Sequence, residues 1–198
     1  RGNALSRTFE EEFVRRRILY SVIGGMSFYE RKEVKDILAY LRAARSTRDD
    51  VALQRIFNVP TRGIGKVSIE RFVDAAGDAG RTLGEHLRCD DALDALRGKA
   101  KKGVEQLRKV LETLSSNSKK SLTDQVQLAI EASGYLPHLE KLEPESWQER
   151  ERNLAELVAA ASETEEILSS VSSRAAASGE EFEQIDALSL FLERIALV

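Results

Sequence analysis

Cysteine and histidine are nearly absent from this 198-residue sequence, which contains one cysteine and two histidines. A single cysteine, Cys89, cannot form an internal disulfide framework and is typical of a reducing compartment. With His86 and His138 as the only imidazole groups, a metal site built from histidine and cysteine is not expected. We therefore expect the chain to hold no metal of its own.

Long apolar runs are also missing, because no stretch approaches the roughly 18 consecutive apolar residues that indicate a membrane-spanning helix. The first residues, RGNALSRTFEEEF, lack both the layout of a signal peptide and an initiator methionine. These absences predict a piece of a larger intracellular protein that has no contact with a membrane.

Catalytic motifs are a third absence. The sequence has no G-x-x-x-x-G-K-[ST] phosphate loop, and it has no G-x-S-x-G, H-E-x-x-H or C-x-x-C motif. The glycines of GGMSFYERK do not have phosphate-loop spacing, and no nucleophile accompanies His86 or His138. We expect an ordinary surface or interhelix role for each histidine, no catalytic residues, and no enzymatic activity from this chain alone.

Charge is abundant and unevenly distributed. Residues 1–102 carry a net charge of +6 and residues 103–198 carry −9, which together give −3. A polyanion would therefore meet the first half, although chance clustering of solvated charges would produce the same imbalance. The acidic stretches Glu163–Glu166 and Glu180–Glu183 suggest an alternative role for the second half, as a surface for a partner protein.

Apolar periodicity predicts helices almost throughout the chain from Ser27 onward. Ser27 and Glu30 have the spacing of a capping box, and SSNSKKS (115–121) and SSVSSRAAASGEEFEQ (169–184) are predicted loops. Predicted helices begin at SFYERKEV, DDVALQRIF and KVSIERFV, and further helices are predicted over residues 82–87, 90–96, 101–115, 122–133, 148–170 and 185–196.

The first residues differ from this helical body. Residues 1–17 have helical periodicity, and Ile18–Ile23 form a β-branched and aromatic run that ends at Gly24 and Gly25, which predicts a strand and a tight turn. A lone strand needs partners, so its sheet is expected to lie outside this sequence. The predicted fold is an all-α domain that carries a short N-terminal helix–strand stub.

The segment TRGIGKVS (61–68) places Gly63 and Gly65 on either side of Ile64, between Arg62 and Lys66. Glycine lacks a Cβ atom, so backbone can approach a ligand closely and can adopt positive φ. A helix that begins near Lys66 directs its free N–H groups and positive dipole end toward an anion. The pattern predicts a helix-hairpin-helix element that contacts DNA phosphates, and a plain glycine corner between helices is the alternative.

Two other basic clusters are weaker candidates for anion contacts. The first lies at a helix start beside Phe28 and Tyr29, which we expect to be core residues rather than a stacking surface. The second contains two glycines and suggests another phosphate-contacting turn, although a solvated loop is the simpler interpretation. The clusters are Arg31, Lys32 and Lys35, and Arg97, Lys99, Lys101 and Lys102.

Several stretches, taken in order, resemble the accessory lobe of UvrD/Rep/PcrA-type superfamily 1 DNA helicases. YSVIGGMSFYERKEVKDILAYLR is similar to the family pattern Y-x-[IV]-x-G-G-x-x-F-[FY]-E-R-x-E-[IV]-K-D-x-x-[AS]-Y-L-[RK]. DDVALQRIFNVPTRGIGKVS resembles D-D-x-A-x-x-R-[IV]-x-N-x-P-x-R-G-I-G, and RGNALSR, RERNLAELVAAA and LSLFLERIALV resemble three further segments.

The resemblance implies an edge of the second RecA-like motor lobe (2A) over residues 1–23, and the helical 2B insertion over residues 24–198. The parent protein would be an ATP-dependent 3′→5′ DNA helicase of DNA repair or replication, using ATP and Mg²⁺ that this piece does not bind. It would be intracellular, either cytoplasmic and nucleoid-associated in a bacterium or nuclear or organellar in a eukaryote. Its implied partners are double-stranded DNA or a fork junction, the motor lobes of the same polypeptide, and a repair or replication protein.

The resemblance also assigns roles to individual residues. Arg1 and Asn3 match positions that touch single-stranded DNA, and Gly24 and Gly25 match the hinge of the insertion. Duplex-backbone contacts match Thr61, Arg62, Gly63, Ile64, Gly65 and Lys66, and a motif at the junction with the motor matches Glu30, Arg31, Glu33, Lys35 and Asp36. The alternative function is a protein-interaction module of the helicase with little DNA binding of its own.

Overall fold

A computed structural model of the chain describes residues 27–178 and 186–196, together with Phe9, Glu12 and Phe13. These residues form helices and turns, with no strand among them, which confirms the predicted all-α class. The predicted strand Ile18–Ile23 lies outside the described residues, as do Arg1, Asn3, Gly24, Gly25 and the acidic stretch Glu180–Glu183.

Short turns connect the helices within residues 27–178, and one further helix lies in residues 186–196. The helices are α1 (Lys32–Arg45), α2 (Asp50–Ile56), α3 (Lys66–Asp78), α4 (Leu83–Arg88), α5 (Gly98–Ser116), α6 (Leu122–Ser133), α7 (Tyr135–Leu142), α8 (Trp147–Ser178) and α9 (Ala187–Ala196). Short 3₁₀ turns lie at Phe28–Glu30 and Asp90–Leu93. No helix of this described part combines the length and apolar character needed to cross a lipid bilayer.

Helix α1 lies at the centre of the domain and is buried on nearly every side. Val34, Ile37 and Tyr40 are fully buried, and the helix contacts α2, α5, α6 and α8. A helix that is surrounded in this way belongs to a core rather than to a surface. Helix α4 contacts both α2 and α3, helix α8 contacts α6, α7 and α9, and α5 contacts both α4 and α6.

Four details differ from the sequence prediction. Ser27 makes no side-chain cap, and a 3₁₀ turn and an extended Arg31 precede α1. The helix predicted over 90–96 is only a 3₁₀ turn. Helix α7 is an additional helix, with Pro137 in its first turn, where proline is tolerated. The predicted loop 169–184 is wrong over its first part, because α8 continues to Ser178.

Candidate nucleic-acid interface

The segment between α2 and α3 forms a tight hairpin, which we call the Gly-Ile-Gly hairpin (residues 57–65). Its central residue, Ile64, is only 1% exposed and packs in the hydrophobic core, whereas Thr61, Gly63 and Gly65 lie at the surface. The buried isoleucine holds the turn against the domain, and the two glycines on either side of it leave bare backbone facing solvent.

The structure requires glycine at one of the two glycine positions of the hairpin and not at the other. Gly63 adopts φ +73°, a left-handed conformation that favours glycine, and a Cβ there would lie 3.3 Å from Cβ of Lys99. Gly65 has φ −79°, which any residue can adopt, and a Cβ there would meet no atom within 4 Å. The internal geometry therefore accounts for glycine at 63 and leaves glycine at 65 without an internal reason.

Arg62 does not point its guanidinium away from the domain. Its Nη1 atom donates to the carbonyl oxygens of Ile56 (3.2 Å) and Pro60 (3.1 Å), and its Nη2 atom donates to the hydroxyl oxygen of Tyr40. The guanidinium carbon also lies 5.8 Å from the centroid of the Tyr40 ring. A residue that the sequence predicts at a phosphate contact is thus bound to backbone and side-chain oxygens inside the domain.

Helix α5 packs directly against the hairpin. A Cβ on Gly103 would lie 2.4 Å from the carbonyl oxygen of Arg62 and 2.8 Å from Cγ1 of Ile64, so only glycine permits this approach. The first turn of α5 therefore sits beside Gly63, with Lys99 in contact. The fold places Lys99, a member of the weaker basic cluster, against Gly63. All four members of that cluster are exposed, namely Arg97, Lys99, Lys101 and Lys102.

The starts of α3 and α5 carry positive rather than negative side chains. Neither helix has a side-chain cap or an acidic residue in its first turn among the described residues. The side chain of Lys66, the first residue of α3, is 90% exposed, and its Nζ atom lies 3.8 Å from Oε1 of Glu70. Arg97 turns back onto the carbonyl oxygens of Asp94 and Leu96. Two exposed lysines, Lys66 and Lys99, thus lie at helix starts that have no side-chain cap.

The residues of the predicted junction motif are separated into a surface pair and a buried network. Glu30 and Lys35 form an exposed ion pair with 2.7 Å between Oε2 and Nζ. Arg31 donates from Nη1 to Oδ1 of Asn153 on α8 (2.7 Å), and its guanidinium lies 5.3 Å from the Phe28 ring centroid. Phe28 and Tyr29 are buried, as expected for core residues.

Glu33 is 3% exposed, and its hydrogen bonds connect α1 to α8. Its carboxylate accepts hydrogen bonds from Asn153 Nδ2 (2.5 Å) and Arg150 Nη1 (3.1 Å). Burying a carboxylate without partners would be costly, so these donors are required by the burial. Arg150 and Asn153 belong to the RERNLAEL segment, whose arginine and asparagine stand one helical turn apart. That spacing was the only signal in the sequence for their shared partner.

Asp36, which is 2% exposed, connects α1 to α2 and α7. It accepts hydrogen bonds from Arg55 Nε (2.7 Å) and from the hydroxyl of Tyr135 (2.5 Å). Burial raises the pKa of Tyr135, and the neighbouring carboxylate of Asp36 raises it further, so the phenol remains a donor. No pattern in the sequence indicated Tyr135, because it lies 99 residues from Asp36.

The acidic stretch on α8 has a partly internal use. Glu165 accepts hydrogen bonds at the start of α6, from the backbone N–H of Leu122 (2.5 Å) and the hydroxyl of Thr123 (2.6 Å). Glu163 and Glu166 are exposed. The surface that the alternative function would offer to a partner protein is thus smaller over this stretch than the sequence suggests.

Comparison with known proteins gives a consistent family. The UvrD-like helicase C-terminal domain family matches residues 1–198. The chain is 34% identical over 172 residues to an ATP-dependent DNA helicase PcrA of Staphylococcus epidermidis, covering 84% of this chain and 23% of that protein. It is 33% identical over 164 residues to a DNA helicase II of Haemophilus influenzae, covering 82% and 23%. The chain thus spans less than a quarter of these relatives.

Proposed function

The chain belongs to the UvrD-like helicase C-terminal domain family, and on that premise we propose that it is a non-catalytic, duplex-DNA-binding and regulatory domain of an ATP-dependent 3′→5′ DNA helicase. In this proposal, the Gly-Ile-Gly hairpin holds the sugar-phosphate backbone of duplex DNA ahead of a fork. The motor lobes of the parent protein use ATP and Mg²⁺ to move along one strand. The names of the similar helicases support DNA as the partner.

The observation that carries the proposal is the open backbone at Gly65. Nothing inside the domain requires glycine there, yet the bare backbone stands at the start of α3 beside Lys66. Free N–H groups and the positive end of a helix dipole favour a phosphate at such a position. Lys99 on the adjoining helix adds a second cation to the same area. Contacts of this kind bind the backbone and do not read bases.

The domain boundaries follow the same proposal. Residues 1–23 are assigned to an edge of the 2A motor lobe and residues 24–198 to the 2B insertion, with Gly24 and Gly25 as the hinge. Arg1 and Asn3 are assigned to the single-strand channel of the parent helicase. The junction motif of Glu30, Arg31 and Lys35 would then lie close to the hinge, and Arg31 and Glu33 both hydrogen-bond to Asn153 of α8 there.

The test is a fluorescence-anisotropy titration of the 198-residue chain with a labelled 20-base-pair duplex and the corresponding single strand, over a salt series. We expect duplex Kd values of about 1–100 µM near physiological salt, with affinity falling steeply as salt rises. Replacing both Lys66 and Lys99 by alanine should reduce the slope of log affinity against log salt by about 1.8, since each phosphate contact contributes about 0.9.

Lys119→Ala is the matched control because it removes one exposed lysine beyond the far end of α5, about 27 Å from the hairpin end of that helix. Its affinity and salt slope should equal those of the unmodified chain. If the Lys66→Ala, Lys99→Ala double variant binds duplex as the Lys119→Ala variant does, the hairpin is not the duplex site.

A further inference from the structure

We infer that Arg62 is a positioning residue, which fixes the shape of the Gly-Ile-Gly hairpin from inside and does not bind phosphate. The inference rests on the proposed function, because it assigns the role of one residue within that duplex site. It reverses the sequence expectation, in which Arg62 and Lys66 were equivalent cations on either side of the two glycines.

Three of the five N–H groups of the Arg62 guanidinium are used by hydrogen bonds inside the domain. Nη1 donates to the carbonyl oxygens of Ile56, at the end of α2, and of Pro60, on the incoming arm of the hairpin, and Nη2 donates to the hydroxyl oxygen of Tyr40. If the side chain swung outward to a phosphate, these carbonyl oxygens would lose a charged donor in a partly buried place. Hydrogen bonds to charged groups are stronger than neutral ones, so this rearrangement is opposed.

Tyr40 connects this arrangement to the core. It lies on the central helix α1 and is fully buried, and its hydroxyl donates to the carbonyl oxygen of Val59 at 2.6 Å while it accepts from Arg62. Burial is the main cause that raises the pKa of Tyr40, so the phenol keeps its proton. A rigid part of the domain thereby holds the guanidinium in place.

Asn58 completes the arrangement on the other side of the turn. Its Oδ1 atom accepts hydrogen bonds from the backbone N–H groups of Arg62 (2.7 Å) and Ile64 (3.2 Å). These two groups flank Gly63, so the side chain of Asn58 fixes the backbone on both sides of that residue. The hairpin is thus organised by Tyr40, Asn58 and Arg62 before any ligand arrives, and a preformed site loses less conformational freedom on binding.

The salt dependence of duplex binding separates a positioning arginine from a phosphate-binding one. A cation that contacts phosphate contributes about 0.9 to the salt slope, and a cation that only shapes the site contributes nothing to it. We expect Arg62→Lys to weaken duplex binding about tenfold at every salt concentration, because lysine lacks the planar fork, with the slope unchanged. Lys66→Ala should reduce the slope by about 0.9.

Tyr40→Phe is a second variant that removes no charge. It deletes the hydroxyl that joins Val59 to Arg62, so we expect weaker duplex binding with an unchanged salt slope, in the same direction as Arg62→Lys. Thermal unfolding followed by circular dichroism identifies variants that remain folded. Near-complete retention of affinity in Arg62→Lys, or a slope reduced by about 0.9 in Arg62→Ala, would make Arg62 a phosphate ligand and overturn the inference.

Amide hydrogen exchange without DNA provides a readout that does not depend on duplex binding. The amides of Arg62 and Ile64 should exchange faster in Arg62→Lys than in the unmodified chain, while those in the middle of α6 stay protected. Unchanged exchange at both amides would overturn the positioning role, whatever the duplex titrations give. Faster exchange with no duplex binding by the unmodified chain would support the positioning role and reject the proposed function.

Discussion

The starts of α6 and α3 differ in whether side chains of the domain supply acceptors for the first N–H groups of the helix. The first N–H groups of any helix have no acceptor within that helix. At α6, the Ser121 hydroxyl accepts from the N–H of Asp124 (3.1 Å), and Glu165 accepts from Leu122 and Thr123. At α3, glycine occupies the cap position, and the first turn has lysine and no acidic residue in the described chain. Side chains of the domain therefore neutralise the positive end of α6, whereas the positive end of α3 remains available to a ligand.

This difference is more informative than net charge. Exposed lysines are common on soluble domains, and they show little about function by themselves. Helix α3 begins with a glycine at the cap position and a lysine in its first turn. A serine or aspartate at the cap position would stabilise the helix more. The absence of a capping side chain and of an acidic residue is expected at a helix start where a ligand supplies the negative charge.

The largest expected effect comes from displacing the two helix starts from each other. Gly103→Val places side-chain atoms where Arg62 and Ile64 already lie, so we expect the free energy of unfolding to fall by about 1–3 kcal/mol. Duplex affinity should fall as well, because α5 can no longer support the hairpin. Chemical denaturation and anisotropy would measure both changes.

Gly77→Ala provides the control for Gly103→Val. Gly77 is exposed within α3, and a Cβ there would meet no atom within 4 Å, so alanine should stabilise the helix by up to about 1 kcal/mol. A Gly103→Val variant as stable as the unmodified chain would show that α5 does not pack against the hairpin as described.

Opening the closed helix start tests the other side of the comparison. Glu165→Ala leaves the N–H of Leu122 and the hydroxyl of Thr123 without their acceptor, so we expect a loss of about 1–2 kcal/mol in unfolding free energy. Duplex affinity should not change. Glu166→Ala, at the exposed neighbouring position, should alter stability by less than about 0.5 kcal/mol. Equal losses in the two variants would contradict the capping role.

Closing the open helix start should trade binding for stability. Gly65→Asp fits the extended backbone and the empty space at that position, and it should stabilise α3 by a few tenths of a kcal/mol. The new carboxylate would repel a phosphate by about 1 kcal/mol or more, which is about fivefold or more in duplex Kd. Gly65→Asn, which caps without charge, separates the repulsion from the added bulk. Unchanged Kd in Gly65→Asp would place the phosphate elsewhere.

The smallest expected effect concerns pH. His86 is 3% exposed on α4, its ring centroid lies 5.0 Å from that of Phe72 on α3, and neither ring nitrogen has a hydrogen-bond partner among the described residues. Burial lowers the pKa of His86, an effect that Arg81 and Arg108 strengthen and Asp91 opposes. The folded state therefore holds this ring neutral at neutral pH.

The direction of the pH effect follows from that lowered pKa. Below an unfolded-state pKa of about 6.5, the unfolded chain binds a proton that the folded chain does not, so the unfolding free energy falls as pH drops until His86 also titrates. His86→Leu should have a smaller pH dependence than the unmodified chain, measured by urea denaturation from about pH 7 to pH 5. Burial also lowers the pKa of His138, so His138→Gln is measured beside it. An unchanged pH dependence in His86→Leu would contradict a neutral buried ring.

Much of the fold could be predicted from the sequence because its signals are local. The predicted helix 122–133 agrees with α6 at both ends, where Ser121 begins it and Gly134, with φ +70°, ends it. The capping box was assigned to Ser27 and Glu30, whereas Thr82 and Glu85 form one. Both pairs have the correct spacing, and only the tertiary course of the chain decides which of them begins a helix.

The geometry of the candidate site could be predicted from the sequence only in part. The residue types and spacing in TRGIGKVS predicted a turn between helices, but they could not give the direction of the Arg62 side chain. Its acceptors include Tyr40, which lies 22 residues earlier on the central helix. Likewise, Lys99 became part of the candidate site only because Gly103 lets α5 approach. Both facts depend on packing between segments that are distant in sequence.

The buried carboxylate of Glu33 has a consequence for the order in which the chain folds. Its partner Asn153 lies 120 residues away, so α1 cannot be enclosed until α8 has been synthesised. Helical proteins usually fold quickly because their contacts are local, and a contact of this span lengthens the search. We therefore expect that, during synthesis, the first half of the domain, including the hairpin, remains incompletely folded until α8 has been synthesised.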